Sequence, residues 1–222
     1  MSKINLEIQV PQNWKAVTLR DYLKLKKDLE NYNESEEEIT ACLFYHLCGV
    51  EPNILTKLDV STFKGIKEDL VKLMSDTEHD LTRIIKIDDK EYGFEPNLSE
   101  MSYGSYVDIQ KYEEVDINDN WAKIMNILYR PVTKWKGALY TIEPYKGNED
   151  WERFLDVPMD VHFGAVFFFK TLLNHLSQSI LKSLKEVENL PDNMSTILER
   201  SGNLTLPSTN LLKGISLDSM RS

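Results

Sequence analysis

Cysteine is nearly missing from this chain, with Cys42 and Cys48 the two in 222 residues. Two thiols do not make a disulfide framework. They lie six residues apart in a segment that reads as helix. At roughly 1.5 Å rise per residue their Cα atoms would be about 9 Å apart, beyond disulfide reach. Buried, reduced thiols in a cytosolic protein are the expectation. Long apolar runs are missing as well. The most apolar stretch, Val161 to Phe169, is interrupted by His162 and closed by Lys170, far short of the about 20 residues that span a bilayer. Met1 to Val10 has no apolar core of the signal-peptide kind. The sequence therefore reads as made and kept in the cytoplasm, with no membrane partner. Nor is there an excess of positive charge. Lys and Arg number 26 against 36 Asp and Glu, a net charge of −10. Binding to phosphates needs concentrated cations to release counterions, so nucleic acid is not an expected partner.

The motifs of chemistry are also lacking. Gly147 follows a lysine but the rest of a phosphate-cradling loop is absent, so no nucleotide is expected. Tyr103-Gly104-Ser105-Tyr106 lacks the second glycine of a nucleophile elbow and sits in helical context; a tight turn or close helix contact at Gly104 explains it better. Cys42-x-x-x-His46-x-Cys48 places a thiol and an imidazole one helical turn apart. A closed zinc site needs four ligands, and no second pair at comparable spacing appears. His79, His162 and His175 are isolated. The acid pairs Asp88-Asp89, Glu113-Glu114 and Glu149-Asp150, and the run Glu36 to Glu38, fall at expected turns and helix starts. The sequence thus predicts no catalytic residue, no cofactor, no metal and no small-molecule substrate.

What is present reads as an α+β fold, predominantly helical. Ile4, Leu6, Ile8 and Val10 alternate with polar residues, the period of a half-buried strand. Thr18 is placed to cap a helix from Leu19, and Asn31-Tyr32-Asn33 stops it. Ser35 opens a second helix that Gly49 closes. A short helix from Pro52 and a longer one capped by Asp59 or Ser61 complete an N-terminal unit, residues 1–80. A second unit, residues 81–188, begins with a hairpin, Ile84 to Ile87 and Tyr92 to Phe94 around Asp88-Asp89. A short helix is expected within Asn97 to Tyr112, another over Asn118 to Arg130 ended by Pro131, and two strands within Val132 to Tyr145 around Lys136-Gly137. After Asp156 the longest helix starts with Pro158 in its first turn. Val166, Phe169, Leu173, Leu176, Ile180 and Leu184 give it one apolar seam.

Two features point outward. Phe167, Phe168 and Phe169 cover most of a helix circumference, so they cannot all face one small core. A helix buried on several sides accounts for them, as does a ring packed on another subunit or client. From Asn189 to Ser222 aromatic residues stop, and Leu204, Leu206, Leu211 and Leu212 stand among polar residues. That composition reads as a tail that is flexible alone and orders on a partner.

Residues 90 to 170 carry, in order, Gly93-Phe94-Glu95-Pro96-Asn97-Leu98, Met101-Ser102-Tyr103-Gly104-Ser105-Tyr106-Val107-Asp108, Lys123-Ile124-Met125 and Leu128-Tyr129-Arg130-Pro131. Then come Tyr140-Thr141-Ile142-Glu143-Pro144-Tyr145, Val157-Pro158-Met159-Asp160-Val161 and Gly164-Ala165-Val166-Phe167-Phe168-Phe169. This succession resembles tailed-bacteriophage morphogenesis proteins. More loosely, Thr18-Leu19-Arg20-Asp21-Tyr22 and the helix ending Leu47-Cys48-Gly49-Val50 are similar to the small helical domains of tail assembly chaperones. The resemblance implies a non-catalytic protein in the host cell cytoplasm that binds other phage structural or tail proteins. In that role it would shield a tail or tape-measure client. The alternatives are a structural component of the neck, tail or baseplate, present in the virion and possible as a homo-oligomer, and, more remotely, a host-directed regulator. Arg130 is expected to bond the last helix carbonyls or to pair with Asp108 or Asp160.

Overall fold

The computed structural model describes residues 8–31, 35–76, 79–98, 101–115, 120–168 and 171. A 3-10 turn, Trp14–Ala16, leads into α1 (Leu19–Leu29), α2 (Glu36–Cys48), α3 (Pro52–Leu55) and α4 (Val60–Ser75). The starts of α1, α2 and α4 and the end of α2 have a local cause. The Thr18 hydroxyl accepts from the Asp21 amide at 3.2 Å, Ser35 from Glu38 at 3.4 Å, and Asp59 from Thr62 at 2.9 Å. These bonds satisfy amides that the first helical turn leaves without a partner. Gly49, at φ 65, ends α2 in the left-handed conformation, its amide donating to Tyr45 O and that of Val50 to Phe44 O. The strand expected over Ile4 to Val10 falls largely outside the described residues, and residues 8–10 are not in a strand.

Four antiparallel strands follow in the order β1 (Ile84–Ile87), β2 (Lys90–Phe94), β3 (Tyr129–Lys136) and β4 (Leu139–Ile142). Between β2 and β3 lie α5 (Tyr103–Val115) and α6 (Trp121–Leu128). The β1–β2 turn is Asp88-Asp89, both at positive φ, 48 and 64. That is the two-residue geometry whose twist matches the flanking strands. The helix expected to run on to Arg130 stops at Leu128, because Tyr129 and Arg130 pair with Phe94 and Gly93 across the sheet. Pro131 then stands inside β3 opposite Tyr92. The chain goes on through a 3-10 segment, Trp151–Asp156, to α7, helical over residues 159–168.

α7 is the centre of the molecule. Met159, Val161, His162, Phe163, Ala165 and Val166 are all buried, as a helix covered on several sides requires. One continuous set of buried side chains runs from Trp14 to Val166 and crosses residue 80. Met159 N donates to Val17 O at 2.8 Å and Leu19 N to Val157 O at 3.1 Å, tying the entrance of α7 to that of α1. Arg20 grips Asp156 with two hydrogen bonds, 2.7 and 2.9 Å. Inside, Trp14, Tyr22 and Phe163 meet edge-to-face with centroids 5.2 to 6.0 Å apart, the arrangement that aromatic quadrupoles favour. At Gly164 the helix backbone lies directly against Asp80, where a Cβ would overlap the Asp80 carbonyl.

His162 is wholly buried yet fully satisfied. Its Nδ1 accepts from Trp121 Nε1 at 3.0 Å, which leaves Nε2 to donate to Phe154 O at 3.1 Å. Burial pulls its pKa down to about 3, outweighing the hydrogen bonds that favour the charged ring. The unfolded imidazole titrates near 6.5, so the unfolded chain binds the proton first as pH falls. Stability from this group is complete above about 6.5 and is lost toward pH 3, by about 1.4 kcal/mol per pH unit.

Two outcomes follow. Gly164→Ala is expected to cost about 1–3 kcal/mol or more, because backbone, not a movable side chain, is in the way; an unchanged urea midpoint would show that α7 does not press on Asp80. Urea unfolding at pH 7 and pH 5 should lose about 2 kcal/mol more in the parent than in His162→Gln, which has no imidazole there to titrate. Equal losses in both proteins would contradict the neutral buried ring.

Candidate protein-binding surfaces

The residues with the look of chemistry are all engaged in structure. Ser105 is buried, its hydroxyl 2.7 Å from that of Ser102, which also caps the Ser105 amide at the start of α5. The close contact expected at Gly104 is not found: a Cβ there would stand 3.7 Å from the Tyr145 ring, an ordinary contact. His46 Nε2 meets Asp28 at 2.7 Å, joining α1 to α2. Burial raises both the Cys42 and the Cys48 thiol to about 11, keeping them protonated at neutral pH. Among the described residues no group of three or more His, Cys, Asp or Glu is placed to hold a metal ion. His175 lies outside them.

The ordered motifs of residues 90–145 converge instead on one internal polar brace. Glu95, just after β2, pairs with Arg130 of β3, their side chains 9 % and 12 % exposed. The partner of Arg130 is thus Glu95, not Asp108 or Asp160 and not a helix carbonyl. Asp108 of α5 instead accepts from the Tyr145 hydroxyl. Tyr145 is near enough to Arg130 to feel its charge, and burial lowers the pKa of that guanidinium. Tyr140 completes the group. Its ring covers Gly93, where any side chain would collide with it, and its hydroxyl donates to Phe94 O at 2.7 Å. One consequence is a helix, α5, tied to the chain after β4 by Asp108 and Tyr145. Another is a close approach of β4 side chains to β2, which Gly93 allows under the Tyr140 ring.

Outside this brace the surface carries apolar groups. The phenylalanine run divides. Phe168 packs edge-on against Phe94 at 5.6 Å, whereas Phe167 is 45 % exposed. Phe169 lies outside the described residues, as do Leu204, Leu206, Leu211 and Leu212. Two further faces were not expected. Tyr103, Tyr106 and Val107 line the outer side of α5 at helical spacing, with Tyr103 81 % exposed. On the β3–β4 hairpin, Trp135 and Leu139 are 50 % and 72 % exposed. No sequence signal announced the first, because apolar residues lie on both sides of α5 and only burial separates Ser105 and Ile109 from the exposed side. Nor did the hairpin give warning, because alternation alone does not say that both of its faces are open.

Comparison with protein-family models, curated proteins and solved structures found no match to this chain.

Removing one partner of the Glu95–Arg130 pair strands a buried charge. Arg130→Met or Glu95→Leu alone is expected to cost about 3–5 kcal/mol, and the double substitution much less than the sum. Chemical denaturation of the four proteins measures this; additive losses would show that the two groups act independently.

Proposed function

We propose that this chain is a non-catalytic bacteriophage morphogenesis protein. It acts by protein–protein binding in tail assembly, shielding a tail or tape-measure client in the host cytoplasm. The observation that carries the reading is the ordered succession of motifs over residues 90–170 and its resemblance to phage morphogenesis proteins. The structure adds a supporting consideration. Glu95, Asp108, Arg130, Tyr140 and Tyr145, the polar and aromatic residues most particular to those motifs, are used up in holding the fold. Surface tyrosine and tryptophan are left for contact with other proteins, the residue types enriched in interface cores. Among the described residues no helix is long and apolar enough to cross a membrane, and an acidic surface suits a protein that must stay dispersed until its client is placed.

Quantitative mass spectrometry of purified particles and of the infected lysate tests this. The expected result is abundance in the lysate and absence from finished particles. A fixed, symmetric ratio to the major capsid protein would instead make the chain a component of the neck, tail or baseplate. Presence in neither would end the phage reading.

A further inference from the structure

The outer part of β3 and the turn that follows it form an arm at the end of the sheet, while Tyr140 and Ile142 of β4 stay against Gly93. Residues 133–139 are exposed without interruption. Its fixture is firm. Tyr140 is anchored on Phe94 O, and the Trp135 ring lies 5.6 Å from that of Tyr140 with its Nε1 donating to Glu91 at 3.1 Å. Among the described residues β4 is paired on one side alone. Glu143 N donates to Pro131 O at 2.9 Å, the bond that flanks a pair lacking mutual hydrogen bonds, here Val132 and Ile142. The main-chain polar groups of Ile142, and of Tyr140 two residues before it, therefore turn away from β3. Exposed sheet edges are commonly blunted by charge, proline or cover. Leu139-Tyr140-Thr141-Ile142 has no charge and no proline, whereas the opposite edge, β1, carries Lys86 paired with Asp89.

Charge identifies what fits there. Arg130 is paired with Glu95, whereas Lys134 and Lys136 on the arm have no ion-pair partner among the described residues, in a protein of net charge −10. Lys134 stands across from Thr141 and Lys136 across from Leu139, so two ammonium groups back one face of the open edge. We propose that this arm accepts an acidic, extended segment of a partner protein as an additional strand along β4. The proposal rests on the protein-binding reading above. A strand added there sits about 4.8 Å from β4 and roughly twice that from β3. Lysine stems bridge that gap over Leu139 and Thr141 to acids at alternate positions of the incoming strand. The net charge of −10 opposes loose, unspecific association of such a segment with the chain. A second copy is a poorer occupant, since edge-to-edge pairing would face lysine with lysine.

The test uses the full chain and a labelled peptide of alternating glutamate and valine, with a lysine–valine peptide as control. Fluorescence anisotropy should show the acidic peptide binding at least about tenfold tighter, a difference of about 1.4 kcal/mol. The combined Lys134→Glu and Lys136→Glu substitution should abolish that preference. The amides of Tyr140 and Ile142 should gain hydrogen-exchange protection on binding. An unchanged preference in the charge-reversed protein, or protection elsewhere, overturns the proposal. So does wild-type self-association that the same substitutions remove, because the occupant is then a second copy. Failure of the underlying reading looks different. If both wild type and charge-reversed protein co-purify equally with phage tail proteins, the arm alone is refuted; if wild type co-purifies with none, the reading beneath it falls too.

Discussion

The contact between Gly164 and the chain at Asp80 governs how everything else is arranged. A helix buried on several sides must bring its neighbours close, and a glycine at the tightest approach allows backbone to meet backbone. That approach brings Phe163 against Trp14 and Tyr22 and seats His162 between Trp121 and Phe154 O. The helices before residue 80 and the sheet after it share this one helix as their common wall. The imidazole within the wall is tolerated because both nitrogens are bonded, and a buried polar group costs little only when it is satisfied.

The polar brace has a different character. Burying Glu95 with Arg130 gains Coulomb energy but forfeits hydration, and such pairs often give little net stability. Arg130 Nε is itself buried without a partner among the described residues. The gain is better sought in geometry. The ion pair joins the chain after β2 to β3, and the tyrosine–carboxylate bond joins α5 to the chain after β4, directional contacts where apolar ones would be freer to slide. The ordered motifs are those that supply these contacts.

Local signals were legible and distant ones were not. Thr18, Ser35, Asp59 and Gly49 mark helix ends because a cap acts within a few residues. Asp88-Asp89 announces a hairpin for the same reason. Arg130 shows the limit: its partner is 35 residues away in sequence, and nothing local distinguishes Glu95 from Asp108 or Asp160. Strand pairing with Phe94 also overrode the helical pattern at Tyr129 and Arg130. On α5 the apolar residues lie on both sides, so periodicity could not say which side the core would take; the small, polar Ser105 went inward and Tyr103 outward. Of the outward-pointing residues, Phe167 alone was both named from the sequence and found exposed among the described residues.

The hydrogen bonds between Val17, Leu19, Val157 and Met159 also bear on the order of events at the ribosome. α1 emerges early, with Leu19, Tyr22 and Leu25 turned toward a wall that does not yet exist. Synthesis at about 5–20 residues per second leaves on the order of ten seconds before the chain has grown from residue 80 to Phe163. During that interval the early helices can form but cannot close their core. Until α7 arrives, the faces of Trp14 and Tyr22 that Phe163 covers have nothing to pack on.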